Sequence, residues 1–126
     1  MNIWKDVYRF HRRFGHEYAR KPARPMDHTR EWRKFMIKEE AREVCEAIDS
    51  GDPVKIAREC IDLVYVAVGT MVSYGIPFRP CWRAVHKANM AKRPNPDGGK
   101  PLKGPSWQSP DEDIVMGLRL WKGGQR

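Results

Sequence analysis

Residues 52–75 read DPVKIARECIDLVYVAVGTMVSYG, and the character of this stretch decides the fold. Asp52-Pro53 is a helix start, a capping side chain followed by a proline whose missing N–H does no harm in a first turn. Gly75 is a stop, because glycine accepts the left-handed backbone that closes a helix. Between them lie Cys60, Ile61, Leu63, Val64, Tyr65, Val66, Ala67 and Val68, apolar on more faces than one small neighbour covers. A helix of this kind belongs at the centre of a bundle or at a subunit interface, so a homodimer is expected. The apolar run from Leu63 to Val72 is too short and too interrupted to span a bilayer, and no membrane partner is expected.

Two carboxylates interrupt this helix. Glu59 and Asp62 stand three apart, as neighbours on one helical face, among residues that are otherwise apolar. Unpaired carboxylates are costly to bury, so something positive should meet them. A second acidic group, Glu39-Glu40-x-x-Glu43, precedes the first by fifteen intervening residues and occupies an arc of roughly 100° on its own helix.

Working outward, residues from about Asn2 to Ala19 carry Ile3, Trp4, Val7, Tyr8, His11, Phe14 and Tyr18 at helical spacing, and Lys21-Pro22-Ala23-Arg24-Pro25 breaks that helix. Asp27 or Thr29 offers a cap for a second helix bearing Trp32, Phe35, Met36, Val44, Ala47 and Ile48, which Ser50-Gly51 ends. A fourth helix is expected from about Pro80 to Ala91, then a loop through Arg93-Pro94-Asn95-Pro96-Asp97-Gly98-Gly99-Lys100-Pro101. Ser109-Pro110-Asp111-Glu112 reads as a capping box, with Ser109 as N-cap, ahead of a short terminal helix with Ile114, Leu118 and Trp121. No strand pattern competes, so the expectation is an all-α bundle of four to five helices, one domain over residues 1–126, with an irregular C-terminal loop and a short last helix.

The net charge of +8 first suggests nucleic acid. Its distribution argues against that partner. Residues 1–36 hold ten Lys/Arg against four acids, residues 37–74 hold four against eight, and residues 75–126 hold ten against four. An acidic centre between basic flanks suits a cation held by carboxylates and an anionic ligand drawn in around it. No basic segment followed by an apolar one opens the chain, so no signal peptide is visible. Cys45, Cys60 and Cys81 form no CxxC, and their setting suggests buried, reduced thiols and a cytoplasmic location.

Oxygen-only ligands select hard cations, Mg²⁺ or in its place Mn²⁺, over zinc or copper. A ferritin-like di-iron centre would need Glu-x-x-His, and here the spacing ends in Glu43 or Asp62. The competing account is a solvated acidic face, continued by Glu46 and neutralised by Arg42 and Arg58; the apolar setting of Glu59 and Asp62 weighs against it.

The order Glu39-Glu40-x-x-Glu43, fifteen residues, Glu59-x-x-Asp62 resembles the signature of the all-α nucleoside triphosphate pyrophosphohydrolases, which include the MazG proteins, the dimeric dUTPases and phosphoribosyl-ATP pyrophosphohydrolase. Phe10-His11-x-x-Phe14-Gly15, Val85-His86-x-Ala88-Asn89-Met90-x-Lys92 and Lys103-Gly104-x-Ser106-Trp107-x-x-Pro110-Asp111 are similar to the small MazG-like members, so the resemblance covers about residues 3 to 113. It implies a MazG-like helical bundle, an oligomer, and Mg²⁺-dependent hydrolysis of a nucleoside triphosphate between the α- and β-phosphates. By position it makes Glu40, Glu43, Glu59 and Asp62 metal ligands and gives Glu39 a further metal or the attacking water.

Around that centre, Asn89 and Lys92 are placed to reach phosphate or sugar oxygens, with His86 on the same face, although Lys92 also reads as an ordinary C-terminal helix cation and His86 as a packed histidine. His11 and Phe14 offer stacking and a polar edge to a base, or else form core and rim. Trp107 either closes over a nucleotide or pins the tail. Narrower dUTP, dCTP or alarmone hydrolysis, and a noncatalytic basic dimer that binds nucleic acid, remain the alternative functions.

Overall fold

The computed structural model describes residues 1–122. Its elements are α1 (Ile3–Phe14), α2 (Asp27–Ser50), α3 (Pro53–Tyr74), α4 (Phe78–Met90) and α5 (Asp111–Leu120). Among the described residues there is no strand, and a single antiparallel bridge joins Arg93 to Leu102. The all-α expectation holds. The chain folds as two compact units, Met1–Ile76 with Lys122, and Pro77–Trp121. No single helix among the described residues is long and apolar enough to cross a membrane.

In the first unit α3 packs against both α1 and α2, which makes it the central element. Asp52 caps it as expected, its carboxylate accepting from the Val54 N–H at 2.9 Å. Only Gly51 and Asp52 join α2 to α3, so the two helices run back antiparallel to one another. Ala47 on α2 and Val68 and Val72 on α3 are buried, and burial of each valine contributes about 2 kcal/mol. On α1 the stripe Trp4, Val7, Tyr8, His11 faces inward, at the i, i+3, i+4, i+7 spacing of one helical face. Trp4 stacks on Tyr8 with ring centroids 5.1 Å apart, and its indole N–H donates to the Ile76 carbonyl at 2.8 Å.

Several local expectations need correction. The first helix ends at Phe14 rather than Ala19, because Gly15 turns left-handed (φ 70°) and donates to the His11 carbonyl. Neither Asp27 nor Thr29 caps α2; Met26 is the N-cap, and its N–H donates to both carboxylate oxygens of Glu17 at 3.1 Å. Thr29 is buried, donating to the same carboxylate at 2.6 Å. Cys45 and Cys60 are exposed and Cys81 is half-buried, since the apolar surface around Cys45 and Cys60 lies on faces the chain itself leaves open. Of the two readings of His11 and Phe14, the one with Phe14 in the core and His11 at its rim is reversed: Phe14 is exposed and His11 is buried.

The segment between α1 and α2 is held by main-chain bonds to the end of α3, Ala19 N–H to the Val72 carbonyl and Ala23 N–H to the Tyr74 carbonyl. His11 Nδ1–H and the Ser73 hydroxyl both donate to the Glu17 carbonyl, at 2.9 and 3.0 Å. Arg33 is buried between α2 and α3, donating to the Val66 carbonyl at 2.8 Å and to the Thr70 hydroxyl at 3.3 Å. Gly69 makes room for it: a methyl group there would overlap the Arg33 guanidinium and press on His11 Nε2.

In the second unit α4 and α5 pack on each other, with Ala84 and Ala88 buried. The helix α5 begins at Asp111, one residue later than a Ser109 cap implies, and the Ser109 hydroxyl accepts from the Asp111 N–H at 3.3 Å. Between the helices, Arg93 and Leu102 exchange both main-chain hydrogen bonds, at 2.8 and 2.9 Å, and close the predicted loop into a hairpin.

Burial lowers the pKa of His11 to about 4, with the nearby Arg33 and His16 charges adding to the effect. An unfolded histidine titrates near 6.5, so between these values the unfolded chain binds the extra proton and stability falls as pH falls. The loss amounts to about 3 kcal/mol across the window, and urea unfolding from pH 7 to pH 4 should show a clearly shallower decline for His11→Gln. Gly69→Ala should lower stability by about 1–3 kcal/mol by displacing Arg33, measured as a lower urea midpoint with unchanged helicity.

Candidate metal centre

The antiparallel α2–α3 pair sets the acidic faces of both helices against each other. Glu40 and Glu43 from α2 and Glu59 from α3 each present an oxygen within 4.8 Å of the others. Fixed helices on a shared core do this, not flexible side chains reaching out. Asp62, one turn along α3 from Glu59, is close enough for its charge to push the Glu40 pKa up; Glu39 acts similarly on Glu43. All five predicted acids therefore fall in one neighbourhood, with three in ligand geometry and two flanking.

The electrostatics are those of an unneutralised site. Glu40 sits above the usual carboxylate range, first through desolvation and then through the charges of Glu43, Asp62 and Glu59. Glu43 is raised as well, by desolvation first and then by its hydrogen bond with Glu59 and that residue's charge. Among the described residues, one oxygen of Glu40 and one of Glu59 are buried without a hydrogen-bond partner. A buried carboxylate oxygen left so forfeits its hydration with nothing in return.

The solvated-face account relied on Arg42 and Arg58. Arg42 is engaged with Glu46 at 2.7 Å and only grazes Glu43 at 4.0 Å. Arg58 touches one oxygen of Glu59 at 3.4 Å and leaves the buried one alone. Both arginines stand well out in solvent, where such pairs contribute little. Two peripheral cations against five clustered acids leave a site with net negative charge and oxygen donors only. That donor set fits a hard divalent ion.

Of the residues expected around a ligand, His11 is buried with its Nδ1 committed to the Glu17 carbonyl, so it is a packing residue of α1 and not a ligand contact. Phe14, 58% exposed, remains available and lies against Phe10. His86, Asn89, Lys92 and Trp107 all belong to the second unit. His86 is exposed and stacks on Trp82, with ring centroids 6.3 Å apart. Asn89 accepts from the Lys92 ammonium at 3.0 Å. Trp107 pins the loop to α4, its indole N–H donating to the Ala88 carbonyl at 2.8 Å. The buried Arg33 was not foreseen as a structural centre, and the sequence does not distinguish it from its neighbour Lys34 between Trp32 and Phe35.

A model of the family described as phosphoribosyl-ATP pyrophosphohydrolase matches residues 7–89, well over half of the chain. The chain belongs to that family. The matched region contains every acid of the cluster and stops before Lys92 and Trp107. No curated protein matches the chain.

The raised Glu40 and Glu43 values come from desolvation first and from neighbouring carboxylates second, so the ionised cluster destabilises the chain as pH rises through those values and ceases to do so when it is protonated. In chelator at neutral pH, Glu43→Gln should therefore melt a few degrees higher than the parent chain, and the difference should shrink toward acidic pH.

Proposed function

We propose that this member of the phosphoribosyl-ATP pyrophosphohydrolase family is a nucleotide pyrophosphohydrolase that cleaves (deoxy)nucleoside triphosphates between the α- and β-phosphates, giving a monophosphate and pyrophosphate, with Mg²⁺ as its cofactor and Mn²⁺ as a substitute. The observation that carries the reading is the pair of buried, partnerless oxygens on Glu40 and Glu59, with Glu43 within 4.8 Å. Three carboxylates in such proximity are stable together only with a proton or a cation among them.

Glu40, Glu43, Glu59 and Asp62 would hold the metal. Bound magnesium supplies neutralisation of phosphate charge and a lowered pKa for the attacking water. The chain's own contribution is chiefly positional. Fixed on two packed helices, the carboxylates need no reorganisation when the phosphate chain arrives. Glu39, flanking the three, is the residue assigned to orient the attacking water and take its proton. Protons compete with metal at Glu40 and Glu43, whose raised pKa values move that competition toward neutral pH, so activity should fall on the acid side earlier than ordinary carboxylates imply.

A homodimer or dimer of dimers is part of the proposal. It is supported by large apolar side chains that the single chain leaves exposed on the metal-bearing helices: the stacked pair Trp32 and Phe35 on α2, and Ile61 and Val64 on α3. Such a surface is what an isologous interface covers.

The test is a panel of ribo- and deoxyribonucleoside triphosphates incubated with Mg²⁺, with pyrophosphate and orthophosphate measured separately. Pyrophosphate should appear in step with the monophosphate, and orthophosphate alone would contradict cleavage between the α- and β-phosphates. Glu43→Ala and Asp62→Ala should each lower kcat by about a hundredfold or more while helicity is retained. Turnover that survived both changes would remove the metal-cage reading.

A further inference from the structure

The acidic centre that argued against a nucleic-acid partner lies on α2 and α3, and α1 presents a surface of the opposite sign. That helix packs on α3, with Trp4, Val7, Tyr8 and His11 turned inward. At 100° per residue, Lys5, Arg9, Arg12 and Arg13 share an arc of roughly 100° on the other side. All four are exposed. Among the described residues no carboxylate forms an ion pair with any of them. The one acid of the helix, Asp6, lies near enough to Tyr65 of α3 for its charge to add to the burial that raises that hydroxyl's pKa. Glu17, the next acid along the chain, is taken up by the Met26 N–H and the Thr29 hydroxyl.

Helix stability does not account for this stripe. Arg12 and Arg13 suit the negative end of the helix dipole, but Lys5 stands in the first turn, where a cation is unfavourable, and Arg9 stands in the middle. Lys5 and Arg9, and again Arg9 and Arg13, are like charges four residues apart, a spacing at which they repel. The charges follow the helix over about 12 Å, a length that about three to four stacked nucleotides of one strand also cover.

An aromatic pair adjoins the same face. Phe10 and Phe14 lie with ring centroids 4.7 Å apart, and the Arg13 guanidinium carbon lies 5.6 Å from the centre of the Phe14 ring. His16 and Tyr65 brace Phe10 at near right angles, at 5.5 and 5.3 Å, whereas Phe14 stands exposed. A braced aromatic platform bordered by cations suits a single strand, whose phosphates need charge and whose unpaired bases offer a π-face. A duplex hides those faces and an inorganic polyphosphate has none.

We propose that the outer face of α1 is a docking surface for single-stranded nucleic acid, with the phosphate backbone along Lys5, Arg9, Arg12 and Arg13 and a base stacked on Phe14. The surface stands apart from the hydrolytic reading, because its groups are cations and aromatic rings and need no divalent ion.

The experiment is fluorescence anisotropy of the full chain with an end-labelled oligothymidylate of about fifteen nucleotides, in chelator and over a range of salt. Affinity should fall as salt rises, with a log–log slope of roughly −3 for the four cations. Arg9→Gln and Arg12→Gln should each weaken binding several-fold and flatten that slope by about 0.7, and Arg9→Lys should preserve it. Phe14→Ala should weaken binding about tenfold and leave the slope unchanged, which separates stacking from charge. Helicity measured alongside reports whether each variant is folded. Glu43→Gln should bind as the parent chain does, so loss of hydrolysis and loss of this surface are read separately. A duplex of the same length and inorganic polyphosphate of the same charge should both bind several-fold more weakly than the single strand. Equal or tighter binding of either one, a slope indifferent to both arginine substitutions, or an affinity unmoved by Phe14→Ala overturns the proposal.

Discussion

Mutual repulsion among the carboxylates on α2 and α3 is the constraint to which the rest of the first unit responds. Side chains free to move would separate such charges, yet Glu40, Glu43 and Glu59 are held within one ligand-sized volume. What holds them is ordinary packing. The connection through Gly51 and Asp52 returns α3 along α2, and the two helices pack directly on each other. The electrostatic cost appears as raised pKa values on Glu40 and Glu43 and as buried oxygens without partners. A cation held between the two helices, as proposed, would offset that repulsion.

The other end of the α2–α3 pair uses the opposite device. There a buried cation, Arg33, is accommodated without any carboxylate, by the Val66 carbonyl and the Thr70 hydroxyl of α3. Its lowered pKa reflects that burial. The absence of a side chain at Gly69 is what admits it. Close by, the Glu17 carbonyl gathers His11 and Ser73, while the Glu17 carboxylate takes the Met26 N–H ahead of α2 and the Thr29 hydroxyl. One residue thus fixes α1, the incoming segment and the start of α2 to α3.

A legible part of this arrangement came from periodicity and punctuation. Asp52-Pro53 and Gly75 delimit α3 because their chemistry is local: a capping carboxylate, a fixed φ and a left-handed stop act through the nearest few residues. The same rules fail where a partner lies far along the chain. Asp27 and Thr29 look like caps, but Met26 is the N-cap, and its N–H goes to the carboxylate of Glu17, nine residues earlier. His11 and Phe14 share helical spacing, and which of them turns inward depends on Gly69 and the Glu17 carbonyl, neither of them local to α1. The cysteines were misjudged because apolar neighbours along a helix do not reveal which of its faces finds a partner.

The sequence by itself determined the all-α class, the central place of residues 53–74 and the acidic faces of α2 and α3 that carry the family signature, because each rests on spacing along a helix. Only the tertiary structure decided that Glu40, Glu43 and Glu59 meet while Glu39 and Asp62 flank them, since that depends on the register of two antiparallel helices. It alone showed that Arg42 and Arg58 leave the buried oxygens unanswered. The physical reason is the same in each case. Helical periodicity fixes which residues share a face, whereas charge pairing and burial are settled by what packs against that face.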